Sequence, residues 1–418
     1  MSIPGALAFS IYVEWFNAHG KSTQLASIGP IMLICLNLPP SERLKPENVY
    51  VAGIIPGPKE PTSLQLNCLL MPLIMELKEL WQGYHFSPTS TGPLGSFIRV
   101  AILMTIADVV AMRKLTGFIS PSGSHFFNFC TIHNAQIEEI SPQFHYTRSY
   151  QNNESAIVKW LWASPQQRQA ILSEYGVQYS ILEDLPYWDA TRMVNLDILH
   201  NLILVILKDH EAFQLCIPEF KSKIYFRSCR KSNETNNIPS FNADYITTSE
   251  IPSELDISAL SDHQIKVPRK MGSPSHCSLK AYEWALLYKV YIPFLILSKQ
   301  MSLDEHNSPN TQRKMGQAEE LANELTKNTF HLISAINIAT SWTVSMDDTT
   351  AFAEHCKKNF LSNQHLFPKQ KSKPNHHLVD HIPELFQCWG PEQASATWVY
   401  EIFIGVFAKM PTNNKICM

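Results

Sequence analysis

The sequence predicts an α/β protein with a sheet-forming first third and a long, mostly helical remainder. Three observations carry this. Short apolar runs rich in β-branched and aromatic residues, divided by Pro and Gly, fill the opening segment. Longer runs of helical period follow. Among the 418 residues, hydrophobic types make up 45% and charged types 17%, against about 25% charged in an average globular chain. Such a chain can bury a sizeable core, which excludes wholesale disorder. Its length suggests two or three folding units at roughly 100–200 residues each.

In chain order, Ala6–Phe16, Ile28–Leu38 and Val49–Ile55 read as strands. Thr62 opens a helix that runs to Trp81, on the spacing of Leu64, Leu69, Leu70, Ile74, Met75 and Leu77. Pro72 inside it is a candidate kink. Ile98–Ala107 is a fourth strand, ending at Asp108. Strand, strand, strand, helix, strand is the opening order of a ribonuclease H-like fold; doubly wound folds also begin this way. Ser155–Glu174, Thr191–Asp209, Leu279–Ser298, Gln317–Ser341, Thr349–Leu361, Pro374–Phe386 and Trp398–Met410 have helical length. Ser228–Pro274 and Ser302–Gly316 are polar and read as loops or insertions. The expected division is 1–135 for the first part of the core, 136–375 for a mostly helical insertion with a polar loop near 228–274, and 376–418 for C-terminal helices returning to the core.

Composition narrows the function classes. Lys+Arg 34 against Asp+Glu 37 gives a net charge of -3, which excludes a uniformly basic coat but leaves room for a local basic face. Nine scattered cysteines without a C-x-x-C argue for a reducing compartment, nuclear or cytoplasmic, and against secretion. The apolar run Leu196–Leu207 carries Asp197 and His200 and is shorter than the ~20 residues a membrane span needs. No membrane partner is expected.

Three carboxylates stand alone in apolar segments: Glu14, Asp108 and Glu401. An unpaired buried carboxylate costs several kcal/mol, so each needs water or a partner. A strand-end position supplies water, and each acid then only marks the end of its element. A shared hard cation, Mg²⁺ or Mn²⁺, is the other relief, and paired ions between carboxylates serve phosphodiester chemistry. Asp197 is a fourth lone acid, expected on one helix face with His200.

His377 and His381 are spaced i, i+4, which suits two imidazoles on one Zn²⁺. Without HExxH a zinc hydrolase lacks its base, and an exposed polar helix start is the favoured reading of the pair. Cys130-Thr-Ile-His133 is another half-site, short of the four ligands of structural zinc. Basic residues cluster at Lys221, Lys223, Arg227, Arg230 and Lys231, interleaved with Tyr225 and Phe226, and again at Lys369, Lys371 and Lys373. Either cluster suits a nucleic-acid backbone or a solvated face.

The strings Leu36-Asn-Leu-Pro-Pro40 and Pro46-Glu-Asn-Val-Tyr-Val-Ala-Gly-Ile-Ile-Pro-Gly-Pro-Lys-Glu-Pro61 resemble CACTA-type (En/Spm-like) transposases of fungal genomes. Further stretches agree in the same order: Val13-Glu-Trp-Phe-Asn17, Ser124-His-Phe126, Leu185-Pro-Tyr-Trp-Asp189, Asp197-Ile-Leu-His200, Lys373-Pro-Asn-His-His377 and Pro411-Thr-Asn-Asn-Lys415. The resemblance implies a DDE-type transposase, with a ribonuclease H-like core interrupted by a large all-α insertion. It implies metal-dependent strand cleavage and joining, DNA at transposon ends as partner, and a nuclear setting; an oligomer stays open. The family's three acids fall on Glu14, Asp108 and Glu401, and its zinc-type motif on Phe127, Cys130 and His200, with His133 as a substitute ligand. Departures from the pattern are Glu14 in place of Asp and Phe127 in place of Cys. The family's N-terminal region has no counterpart before Met1. The expectation is therefore a truncated, degenerate copy whose activity is impaired or lost, the latter leaving a remnant that binds DNA or protein.

Overall fold

The computed structural model describes residues 5–17, 27–138, 147–210, 281–296, 316–392 and 397–409, apart from a few single positions. The Lys221–Lys231 cluster and the Ser228–Pro274 loop lie outside the described residues.

The chain divides into two compact units, Met1–Ile198 with Ser372–Met418, and Leu199–Lys371. The first unit thus extends to residue 198, where the sequence suggested a boundary after 135. Residues beyond 135 are bonded into it. Ile181 N donates to Asn67 Oδ1 (3.0 Å) and Phe118 bridges to Val177.

The first unit is built on a seven-stranded mixed sheet. Its main strands are β1 (Ala6–Val13), β3 (Ser27–Cys35), β4 (Val49–Ile55), β6 (Ser96–Ala107) and β7 (Val194–Leu196). The short β2 (Phe16–Asn17) and β5 (Tyr84–Phe86) extend β3 and β6. Across the sheet, β4 pairs antiparallel with β3 and β3 antiparallel with β1. β1 then pairs parallel with β6, and β6 parallel with β7. The four strands expected in the first third all form, as apolar runs bounded by turn residues should.

Helix α1 (Pro40–Arg43) is a single turn. Helix α2 (Ser63–Gln82) crosses from β4 to the parallel strands. Thr62 and Gln65 close a capping box at its start, satisfying two end amides reciprocally. Its Leu66, Leu70, Ile74 and Leu77 recur at helical spacing and bury against Ile11, Val13, Ile31 and Ile102 of the sheet. Pro72 sits within the helix without ending it. Helix α3 (Val109–Thr116) starts directly after β6, with Asp108 as its N-cap.

The segment Ser155–Glu174 was expected as one helix. It is two, α4 (Tyr150–Trp162) and α5 (Pro165–Tyr175), because Ser164 caps a new start and Pro165 cannot continue the old one. Thr191–Asp209 is likewise not one helix. Its first part is strand β7, so Asp197 and His200 do not share a helix face.

The second unit contains a π-helical segment, Leu199–Leu207, then α6 (Ala281–Leu286), α7 (Gly316–Ala339) and α8 (Met346–Leu366). His210 is fixed from both ring nitrogens, by Tyr288 Oη at 3.0 Å and Asn328 Oδ1 at 2.8 Å. Asn328 in turn donates to Asn359 O and Asn363 Oδ1. The chain then returns to the first unit with α9 (Pro374–Leu378), α10 (Ile382–Trp389) and α11 (Trp398–Lys409). Among the described residues, no helix is long and apolar enough to cross a membrane.

Candidate carboxylate and metal sites

Three of the four lone acids each directly follow a parallel strand. Glu14 follows β1, Asp108 follows β6 and Asp197 follows β7. The register aligns these ends. Ile11 pairs with Thr105, three residues before Glu14 and Asp108, and Ala107 pairs with Leu196, one residue before Asp108 and Asp197. Parallel pairing therefore brings positions 14, 108 and 197 to the carboxyl ends of neighbouring strands, where open α/β sheets place their ligands.

Helix α11 brings the last acid. Ligand oxygens of Glu14 and Glu401 lie within 4.8 Å of each other. Glu14 is half-buried and Glu401 exposed. Glu14 Oε2 accepts a hydrogen bond from Tyr12 Oη. Asp108 Oδ1 accepts from Ala111 N at 2.6 Å, capping α3. Among the described residues, Asp108 does not join Glu14 and Glu401 in a cluster whose ligand atoms all lie within 4.8 Å. Two hard oxygen donors this close suit a divalent cation such as Mg²⁺ or Mn²⁺.

Two anchors hold α11 at the sheet. Thr397 Oγ1 donates to buried Asp197 Oδ2 at 2.9 Å. Tyr400 stacks on Tyr12 and shares a 2.8 Å hydrogen bond with Ser10 Oγ. Glu392, just before α11, is a buried acid absent from the sequence reading, because the polar string around it resembles any loop. Asn195 Nδ2 donates to it at 3.2 Å. Burial, reinforced by the Asp197 charge, pushes its carboxyl well above the ordinary range.

A second cluster forms around Cys130. Its Sγ lies 3.1 Å from His377 Nε2, which lies 3.2 Å from His381 Nε2. All three side chains are buried. Behind the imidazoles stand two carboxylates. Asp380 Oδ2 is 3.6 Å from His377 Nδ1, and Glu384 Oε2 is 3.6 Å from His381 Nδ1. A carboxylate behind each ring orients its far nitrogen, as in carboxylate–histidine–zinc sites. Burial alone would lower the His381 pKa, but Cys130 and Glu384 outweigh it and raise it to about 9. The soft thiolate and two imidazoles fit Zn²⁺. Phe127 packs edge-on against His377, with ring centroids 4.4 Å apart.

Arg148 shapes the loop that presents Cys130. It is buried and donates to Phe127 O (2.5 Å), Cys130 O (3.2 Å), His125 O (2.6 Å) and Tyr175 O (2.9 Å).

The two zinc half-sites of the sequence thus contribute to one cluster, Cys130 from the first and His377 with His381 from the second. His133 is occupied otherwise. Its Nδ1 accepts from Ala135 N at 3.1 Å, capping a short 3₁₀ turn. His200 lies on the π-helical segment of the second unit. Lys369, Lys371 and Lys373 are all exposed.

The first unit is thus an α/β protein with an acid-lined sheet edge. Its residues 5–148 match the family model described as transposase family tnp2. That match supports a transposase family for this part of the chain and covers β1 through Arg148. No curated protein matches the chain.

Proposed function

We propose that the chain is a transposase-derived protein of the CACTA type, with DDE-type acids on a ribonuclease H-like core and an α-helical insertion. The carrying observation is the approach of Glu401 to within 4.8 Å of Glu14, which follows a parallel strand inside the segment 5–148 that matches transposases. The strand order β4–β3–β1–β6–β7, antiparallel twice and then parallel twice, supports the core assignment. The helical unit entering after β7 supports the insertion.

Glu14 and Glu401 would hold Mg²⁺ or Mn²⁺, with Asp108 and Asp197 on the flanking strand ends. Held there, such cations would supply nucleophile activation and charge neutralisation at the phosphoryl oxygens. DNA at transposon ends is the substrate class, and the exposed Lys369, Lys371 and Lys373 suit its backbone. A nuclear, reducing setting follows from that role.

The same residues support impaired activity. Glu14 is one methylene longer than an Asp, and a misplacement of about 1 Å can cost on the order of 100-fold in rate. Asp108 Oδ1 is already engaged in capping α3. Nicking of a transposon-end duplex with Mn²⁺ tests the reading, comparing the unaltered chain with Glu14→Asp and Asp108→Asn. Weak nicking raised by Glu14→Asp and abolished by Asp108→Asn supports it. DNA binding with no nicking in any form supports the second reading, a remnant that binds without turnover.

Cys130, His377 and His381 would hold a structural Zn²⁺. Their burial disfavours a zinc hydrolase, whose metal needs a position open to substrate.

A further inference from the structure

Tyr12 occupies a position beside Glu14 and against α11 that neither the strand pattern nor the family match explains. It is fully buried in β1, two residues before Glu14. Its ring lies flat against Tyr400 of α11, with centroids 4.3 Å apart and planes 3° from parallel. Tyr400 immediately precedes Glu401. Its hydroxyl shares a 2.8 Å hydrogen bond with Ser10 Oγ, also on β1. The Tyr12 hydroxyl then donates to Glu14 Oε2.

We infer that Tyr12 is a positioning residue for cation binding by Glu14 and Glu401: its ring sets the seat of α11, and its hydroxyl fixes the Glu14 carboxylate towards Glu401. This rests on the proposed metal-dependent function and deepens it by naming what brings its two acids together. Glutamate has three rotatable bonds, and two like charges at this distance repel. A donor on Oε2 fixes the carboxylate and offsets part of its charge, while the carboxylate keeps further lone pairs for a cation. The phenol O–H supplies the donor that the carboxylate accepts. Tyr400 does the complementary work on the helix: its bond goes to Ser10 and touches neither acid.

Mn²⁺ titration of the full chain, read from the electron-paramagnetic signal of free Mn²⁺, tests this. The unaltered chain should bind Mn²⁺, and Glu14→Gln and Glu401→Gln should each abolish binding. Tyr12→Phe keeps the stacked ring and removes only the donor; it should weaken Mn²⁺ about tenfold. Tyr400→Phe also keeps the stack but removes the Ser10 bond; its Mn²⁺ affinity should stay within about twofold. Circular-dichroism melts of both variants show that they are folded. Unchanged or tighter Mn²⁺ binding in Tyr12→Phe overturns the inference alone. Equal weakening in Tyr12→Phe and Tyr400→Phe also overturns it, because helix seating then explains both. If the unaltered chain binds no Mn²⁺, the metal-dependent reading fails and the inference with it.

Discussion

The thiol of Cys130 lies 3.1 Å from Nε2 of His377, although 247 positions separate them in sequence. His381 completes the group through its own Nε2, and carboxylates stand behind both rings. Donor atoms this close in a buried setting are costly unless they share a proton or a metal. The expected outcome is about one Zn²⁺ per chain purified without chelator, read by elemental analysis. Cys130→Ser or His381→Ala should reduce this to near zero. Glu384→Gln leaves all three ligands in place and should weaken zinc about 10–100-fold, as loss of an orienting partner does.

Phe127 makes the opposite prediction for two states of one variant. Its ring is buried beside His377, where a fourth ligand would complete tetrahedral zinc. Phe127→Cys removes a large core side chain, which typically costs ~3–5 kcal/mol for a truncation of this size. The metal-free variant should therefore melt lower than the unaltered chain. With Zn²⁺ added it should recover, and Co²⁺ should give a stronger thiolate charge-transfer band. A variant equally unstable with and without metal would show that residue 127 does not reach the cluster.

Arg148 is the third test. Its guanidinium binds the carbonyls of His125, Phe127 and Cys130, so it shapes the Cys130 loop from inside. Burial, despite the favourable Cys130 charge, lowers its pKa to about 10, so it is still a cation at neutral pH. Lysine keeps the charge but not the planar fork that reaches several carbonyls at once. Arg148→Lys should cost on the order of 3–5 kcal/mol in urea unfolding, since buried acceptors lose charged donors. Zinc content should fall in parallel.

The sequence carried the strands well and the sites in halves. β1, β3, β4 and β6 are apolar runs bounded by turn residues, and such punctuation survives folding. β7 was lost because Val194–Leu196 sits in a long apolar run, where periodicity does not separate a buried strand from a helix. Glu14, Asp108 and Asp197 stood out because lone acids interrupt such runs at strand ends. The pairing of Cys130 with His377 is tertiary and has no local signature. One signal was nevertheless present: each histidine has an acid three residues on, Asp380 after His377 and Glu384 after His381. Glu392 had no such signal, since its burial depends on how the return to α11 packs against Asn195.

Glu392 yields the last prediction, a pH dependence of stability. Burial first, and the Asp197 charge second, raise its folded pKa well above 4.5. In the unfolded chain the carboxyl returns to its ordinary value. Between those two values the folded state holds a proton that the unfolded state has released. Stability therefore falls as pH rises through that window. The contribution is intact below about pH 4.5 and is lost progressively above it. Glu392→Gln mimics the protonated acid, keeps an oxygen for Asn195 Nδ2, and has nothing to ionise. Melting temperatures followed by circular dichroism should match the unaltered chain near pH 4.5 and exceed it increasingly as the pH rises above that. A constant offset at every pH would mean that Glu392 does not titrate in this window, and a deficit growing with pH would reverse the sign of its coupling to Asp197.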